Sequence, residues 1–414
     1  MSLWTPEWQV TINGGGDYTN VILSNLSITS GRTDIYAQPR AGFCSVEIIN
    51  LDESPIEIDV NDNVLIKIKD STGTYVNLFG GDVTDIQVSV VNTSGTQSNQ
   101  IIRVTALGAL AKLPSSLTDG VLSKAYDGDQ IYTVLTDLLL NNWNEVAPTV
   151  TWADYEATTT WANAENVGLG EIDRPGDYEL TARSSSATDV YSLINLLATS
   201  GLGYIYEDSS GRIGYADSTH RAQYLAANGY TEISAGTALA SEISTIKRLA
   251  DVRNKVTIQY KNGAEVSASD LTSIGTYGQQ AQIIATSIEN GADATSQADF
   301  YLGLRAYPQA QFQAITFTLG NDNIDDSDRD ALLNVFMGLP LDITDLPPNI
   351  LLGRFQGFVE GWTFSAGYNR LDITLTLSPT AFSLQSMKWE NVSVAETWNT
   401  LSSTLDWNHA TVVA

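Results

Sequence analysis

Val64-Leu-Ile-Lys-Ile-Lys-Asp70, and then Asp82-Val-Thr-Asp-Ile-Gln-Val-Ser-Val90, alternate apolar and polar side chains at a period of two. An extended strand sends successive side chains to opposite faces, so both stretches predict half-buried β-strands. Asn13-Gly-Gly-Gly16, Ser71-Thr-Gly73 and Asn92-Thr-Ser-Gly95 supply residues tolerant of positive φ, which suits hairpin tips. Ile101-Ile-Arg-Val-Thr-Ala-Leu107 closes the set. So many short strands within the first 110 residues predict a small β-barrel or sandwich as domain 1–110.

Working outward, the texture changes between residues 111 and 242. Ile131, Val134, Leu135, Leu138 and Leu139 fall on one helical face, with Asp129 placed to cap its start. Val190, Leu193, Ile194 and Leu197 repeat the pattern, and Gly201 is placed to end that helix. Gly203-Tyr-Ile-Tyr206 and Arg212-Ile-Gly-Tyr215 read as short strands split by Asp208-Ser-Ser-Gly211. The expectation for 111–242 is an α+β insertion.

Strand signals return over 243–384 in Asn254-Lys-Val-Thr-Ile-Gln-Tyr260, Ala314-Ile-Thr-Phe-Thr-Leu319, Gly357-Phe-Val-Glu-Gly-Trp362 and Arg370-Leu-Asp-Ile-Thr-Leu-Thr-Leu377, predicting a second β domain. Helices are expected to interrupt it near 295–305 and 328–336. The stretch 385–414 is polar, yet carries Trp389, Trp398 and Trp407 at nine-residue intervals. A tryptophan in a short arm buries a large area against another subunit, so these three are the candidate assembly residues.

The chain has 414 residues, enough for roughly two to three domains. Lys plus Arg is 21 and Asp plus Glu is 48, so the formal charge is 21 − 48 = −27. This opposes binding of nucleic-acid phosphates, which needs clustered cations. Only 17% of residues are charged, so the imbalance is a shortage of cations and not an acidic tail. One cysteine, Cys44, and two histidines, His220 and His409, cannot build a structural zinc site. No metal or cofactor is expected. The opening residues lack a basic segment followed by an apolar one, and no run of about 18 apolar residues occurs, so secretion and membrane insertion are not expected.

Candidate chemistry is weak. Gly14-Gly-Gly16 is followed by Asp17-Tyr-Thr-Asn20, without the Lys-Ser/Thr pair of a phosphate-binding loop. Asn321-Asp-Asn-Ile-Asp-Asp-Ser-Asp328 is rich in oxygen ligands but lacks the Gly and Glu that a calcium loop needs at its sixth and twelfth positions, and reads as a helix-capping loop. His220, beside Arg221, reads as a surface-loop histidine. No nucleophile elbow or metalloprotease helix is present, so the chain is expected not to be an enzyme.

Two β domains flanking an α+β unit, with Asp251-Val-Arg-Asn-Lys-Val-Thr-Ile-Gln-Tyr260, Ala306-Tyr-Pro308, Leu341-Asp-Ile-Thr-Asp-Leu-Pro347, Gly357-Phe-Val-Glu-Gly-Trp362 and Leu371-Asp-Ile-Thr-Leu-Thr-Leu-Ser-Pro379, resemble the hub proteins of tailed-phage baseplates and tail tips. The ending from Glu396-Thr-Trp398 to Leu405-Asp-Trp-Asn408 is similar to minor tail proteins of siphophages. The resemblance implies a virion protein assembled in the host cytoplasm: a homotrimer in which two tube-like barrels per subunit form a pseudo-six-fold ring. It further implies partners among the distal tail, fibre or spike and tape-measure proteins, with genomic DNA passing through the lumen without specific binding. Three chains would carry 3 × −27 = −81 formal charges, and an acidic bore repels DNA. Asp82, Asp85, Glu360 and Asp372 are the strand acids whose face depends on register. The alternatives are a receptor-binding tail component holding cell-wall glycans through Trp152, Trp161 or the arm tryptophans, and a cell-wall glycoside hydrolase.

Overall fold

Strand β1 (Trp8–Ile12) turns through Asn13 and Gly14, both at positive φ, into β2 (Gly16–Tyr18), so the glycine run is a hairpin tip. β3 (Val21–Gly31), β4 (Phe43–Asn50), β5 (Asn63–Lys69), β6 (Tyr75–Asn92) and β7 (Ser98–Leu107) complete the first region. β5 shows why the alternation works: Val64, Ile66 and Ile68 are buried, and Lys67 and Lys69 point the other way. This computed structural model describes residues 4–33, 35–51, 55–92, 98–141, 169–236, 241–321, 323–367, 370–386 and 411–412.

The middle of the chain contains β8 (Leu117–Thr118), β9 (Ala125–Tyr126), α1 (Asp127–Asn141), β10 (Leu169–Ile172), β11 (Glu179–Leu180), β12 (Thr188–Asp189), α2 (Val190–Ser200), β13 (Tyr204–Glu207) and β14 (Ile213–Ala216). α2 starts where Asp189 accepts from Ser192 N at 2.7 Å, and ends where Gly201 N donates to Leu197 O at 3.0 Å. α1 begins two residues before the expected cap. Asp129 lies inside its first turn and accepts from Arg174 Nε at 2.7 Å, while Asp127 is buried at the helix start and accepts from Asp177 N and Tyr178 N. α3 (His220–Asn228) and β15 (Thr231–Ser234) follow.

The remaining elements are β16 (Ser241–Ile246), β17 (Lys255–Tyr260), β18 (Ala264–Ser269), α4 (Leu271–Tyr277), β19 (Ala281–Ala285), α5 (Gly291–Arg305), β20 (Gln311–Thr318), α6 (Asp326–Leu333), β21 (Pro340–Thr344), β22 (Phe355–Gly367), β23 (Arg370–Pro379), β24 (Gln385–Ser386) and β25 (Thr411–Val412). The expected helices near 295–305 and 328–336 are α5 and α6, shifted by a few residues at their ends. The chain is mainly β.

The two β regions are hydrogen-bonded to each other. One 13-stranded sheet runs β16-β20-β23-β22-β3-β4-β7-β6-β5-β1-β2, with β21 and β15 attached at β22. The joint is the antiparallel pairing of β22 with β3, from Gly361 opposite Gly31 to Ala366 opposite Leu26. Phe364 and Trp362 therefore share one core with Ile28, Val46 and Ile66. β22 first pairs with β21, then bulges between Val359 and Gly361 and crosses to β3. Gly31 has φ +84°, and a Cβ there would lie 2.3 Å from the Glu360 carbonyl, so the close approach at the bulge excludes a larger residue.

A second core collects Ile131 and Leu135 of α1, Leu193 and Ile194 of α2, Ile213 and Tyr215 of β14, Val256 and Ile258 of β17 and Ala294 of α5. Its membership crosses the division expected at residue 242. β17 has strand periodicity like its neighbours in sequence, but it forms a separate three-stranded sheet, β18-β17-β19, whose buried side meets the middle of the chain.

Candidate functional site

With register known, the polar side of the large sheet can be read across strands. Asp85 of β6 stands opposite Thr105 of β7, Thr105 opposite Ser45 of β4, and Ser45 opposite Ser27 of β3. Ser27 then faces Ser365 of β22, Ser365 faces Asp372 of β23, and Asp372 faces Thr318 of β20. This row crosses seven strands from both β regions without an apolar side chain. Six steps of roughly 4.8 Å make it about 29 Å wide. A neighbouring row aligns Thr29, Thr363, Thr374 and Thr316. Thr29 and Thr363 hydroxyls lie 3.3 Å apart, and Thr316 and Thr374 hydroxyls 2.8 Å apart.

The alternate residues of the same strands, Ile28, Phe364, Ile373 and Phe317, are fully or almost fully buried, so one side of each strand is committed to the core and the other to a surface of hydroxyls and carboxylates. Two cations on that surface are held by its acids: Arg103 Nε lies 2.5 Å from Glu47 Oε1, and Arg370 Nε 2.6 Å from Asp372 Oδ2. The surface is hydroxylated and mildly acidic, with Phe43, opposite Thr29, as an exposed aromatic on it.

Register thus separates the four strand acids. Asp85 and Asp372 lie on the polar row. Asp82 binds Lys112 Nζ at 2.8 Å. Glu360 is not on that face at all; it is 1% exposed, at the bulge where β22 changes partners. Its carboxylate accepts from Arg32 Nε at 2.7 Å, from Arg221 Nη1 and Nη2 at 2.7 and 2.9 Å, and from Ser378 Oγ at 2.5 Å. Burial alone would push the acid up, but Arg221 and Arg32 outweigh it and hold it at about 2. The signal for this cluster in sequence is a lone acid between apolar residues and a glycine, Phe358-Val-Glu-Gly-Trp362, which has no reason to be buried without a cation.

His220 corrects the expectation of a surface loop. It opens α3, is 1% exposed, and its Nδ1 lies 2.5 Å from Asp173 Oδ2. The chain turns inward there because Asp217 accepts from Thr219 N, Thr219 Oγ1 and His220 N, which winds the first turn of α3, whose Ala222 packs with Phe358 and Leu384. Burial holds the imidazole well below its ordinary range. Asp173 itself is pushed up by burial to about 7.

The Asp-rich loop before α6 caps that helix: Asp325 accepts from Asp328 N at 2.7 Å. Trp8 belongs to the core of the large sheet. Trp389, Trp398 and Trp407, like Trp152 and Trp161, lie outside the described residues.

The hydroxyl-lined sheet spans two β regions, with an α/β unit packed beside it. No protein-family model and no curated protein matches the chain by sequence. Among solved structures, the tail protein from Neisseria meningitidis MC58 superposes with a TM-score of 0.53 at 13% identity, over 92% of this chain and 98% of that one. The chain has a phage-tail-protein fold. The 43 kDa tail protein of prophage MuSo2 from Shewanella oneidensis agrees, with a TM-score of 0.52 at 12% identity, over 91% of this chain and 99% of the other. The tail-protein fold therefore covers both β regions and the α/β unit between them. No helix among the described residues is long and apolar enough to cross a membrane.

Proposed function

We propose that this chain is a structural, non-catalytic component of a phage tail tip: a trimeric hub that continues the tail tube, attaches distal fibre or spike proteins, and turns the hydroxylated face of its large sheet toward the DNA exit channel. The observation that carries this reading is the seven-strand row from Asp85 to Thr318. DNA presents one negative charge per roughly 1.7 Å of duplex axis, and a wall bearing free Lys or Arg would exchange counterions with it and hold it. On this face Arg103 and Arg370 are already neutralised by Glu47 and Asp372. Short hydroxyl side chains, two pairs of them bonded across strands, leave little for a phosphate to grip. The net charge of −27 adds long-range repulsion.

The Trp-bearing segment 385–414 is assigned to docking on a neighbouring tail protein, and its removal is expected to leave a folded ring that no longer enters tails. The test of the hub itself is electron microscopy of the purified full chain. A three-fold ring with a central hole and the Ser365 face turned inward supports the reading; a solid monomer, or a ring whose bore is lined by unpaired cations, ends it.

A further inference from the structure

Where the first β region, α3 and the end of α5 meet, they form a half-open cavity of about 160 Å³ lined by Arg32, Tyr36, Arg221, Arg305 and Ser383 among others. A single water needs only about 10–15 Å³ on this measure, so the cavity has room for a small ion with water, though not for a drug-sized ligand. Its charge is unusual for so acidic a chain. Arg32 and Arg221 share one counterion, Glu360. Arg305 is 5% exposed; Nη1 donates to the Phe382 carbonyl, Nε has no hydrogen-bond partner, and among the described residues no carboxylate lies within ion-pairing distance. Tyr36, Tyr301 and Phe382 rings lie against its guanidinium, with centroids 4.4 to 5.8 Å from Cζ. They help to orient it but supply no full countercharge. Burial pulls the Arg305 pKa down, and Tyr36, Tyr301 and Glu360 offset that only in part.

Among the described residues, these three guanidiniums against Glu360 leave two positive charges in excess. Asp217 also lines the cavity, and when ionised it reduces that excess to one. A buried cation without a full countercharge is unfavourable, whereas a guanidinium fork matched to an oxyanion gains charge-assisted hydrogen bonds. We propose that this cavity binds one small divalent oxyanion of the phosphate or sulfate class, with Arg305 as its principal ligand and Arg32 and Arg221 as flanking cations. The ion would tie together residues from three separate segments, and by mass action it would stabilise their association.

Equilibrium dialysis of the purified full chain against radiolabelled inorganic phosphate in a chloride background tests this. The expected result is saturable binding near one ion per chain, competed by sulfate, with Arg305→Gln weakening it at least tenfold and Arg305→Lys weakening it less. Absence of saturable binding in the wild-type chain overturns the proposal, as does unchanged binding by a folded Arg305→Gln. Should that variant fail to fold, crystals of the wild-type chain grown in selenate decide: an anomalous peak within hydrogen-bond reach of Arg305 is expected, and its absence there overturns the site.

Discussion

At the joint of the large sheet, Glu360 is buried against Arg32 and Arg221 and stays charged, held at about 2. In the middle core Asp127 and Asp173 are equally buried, yet the nearest groups are a phenol and a histidine: Tyr215 donates to Asp127, and His220 meets Asp173. Burial pushes Asp127 up to about 8, and burial with help from Asp173 pushes Glu171 up to about 9. The same carboxyl chemistry is therefore an anion in one region and an acid holding its proton in the other. What decides is the presence of a permanent cation and not depth, since Glu360, Asp127 and Asp173 are all at most 1% exposed. The sheet joint draws on Coulomb attraction, and the middle core on hydrogen bonds of neutral groups.

The sharpest way to break this contrast is Glu360→Gln. Two guanidiniums would be left buried without their shared anion, at a cost of about 3–5 kcal/mol, read from urea unfolding. A loss below about 1 kcal/mol would mean that Glu360 is not the countercharge it is taken to be. Second in size is the response to pH. Asp127, Asp173 and Glu171 have folded pKa values above their unfolded ones, so the stability they confer is complete below about 4 and is lost as pH rises through about 7 to 9. Glu360 has the opposite sign: its contribution is complete above about 4.5 and is lost as pH falls toward 2. Hydrogen exchange at pH 5 and pH 9 should show α2, β13 and β14 losing protection at the higher pH while β22 and β23 keep theirs.

Asp127→Asn sharpens the comparison at smaller scale. The amide replaces a mostly protonated carboxyl, so the variant is expected to cost no more than about 1.5 kcal/mol at pH 6, the range of one net hydrogen bond. It should also remove part of the alkaline loss, which a thermal melt at pH 9 would record. Smallest is Thr374→Val on the polar face. It deletes the hydroxyl pair with Thr316 while keeping a β-branched side chain, for an expected loss of at most about 1 kcal/mol in the same unfolding assay.

Much of the sheet could be read from the chain because strand burial is local. In β23 Leu371, Ile373, Leu375 and Leu377 declare the core side without reference to any partner. Gly201 likewise announces the end of α2. The polar row was only half legible. The hydroxyls and Asp372 are visible in the alternation, but their alignment with Ser27 depends on register between strands more than three hundred residues apart. The Arg32–Glu360–Arg221 cluster was not legible, because its members come from three distant segments and only the burial of Glu360 hints that cations must be near. His220 misled for the same reason: next to Ser218 and Thr219 it looks like a polar loop, and only Asp173 explains why it is inside. β17 misled differently, since its period of two is genuine and only its partners lie elsewhere.

The pairing of β22 with β3 also has a mechanical meaning. Ladder bonds in antiparallel strands lie across the strand direction. A tug along the strands loads the contacts between residues 361–366 and 26–31 all together, whereas a force that splays the two strands apart takes them one after another from an end. The β22–β3 pairing is thus stiffer to stretching along its strands than to peeling.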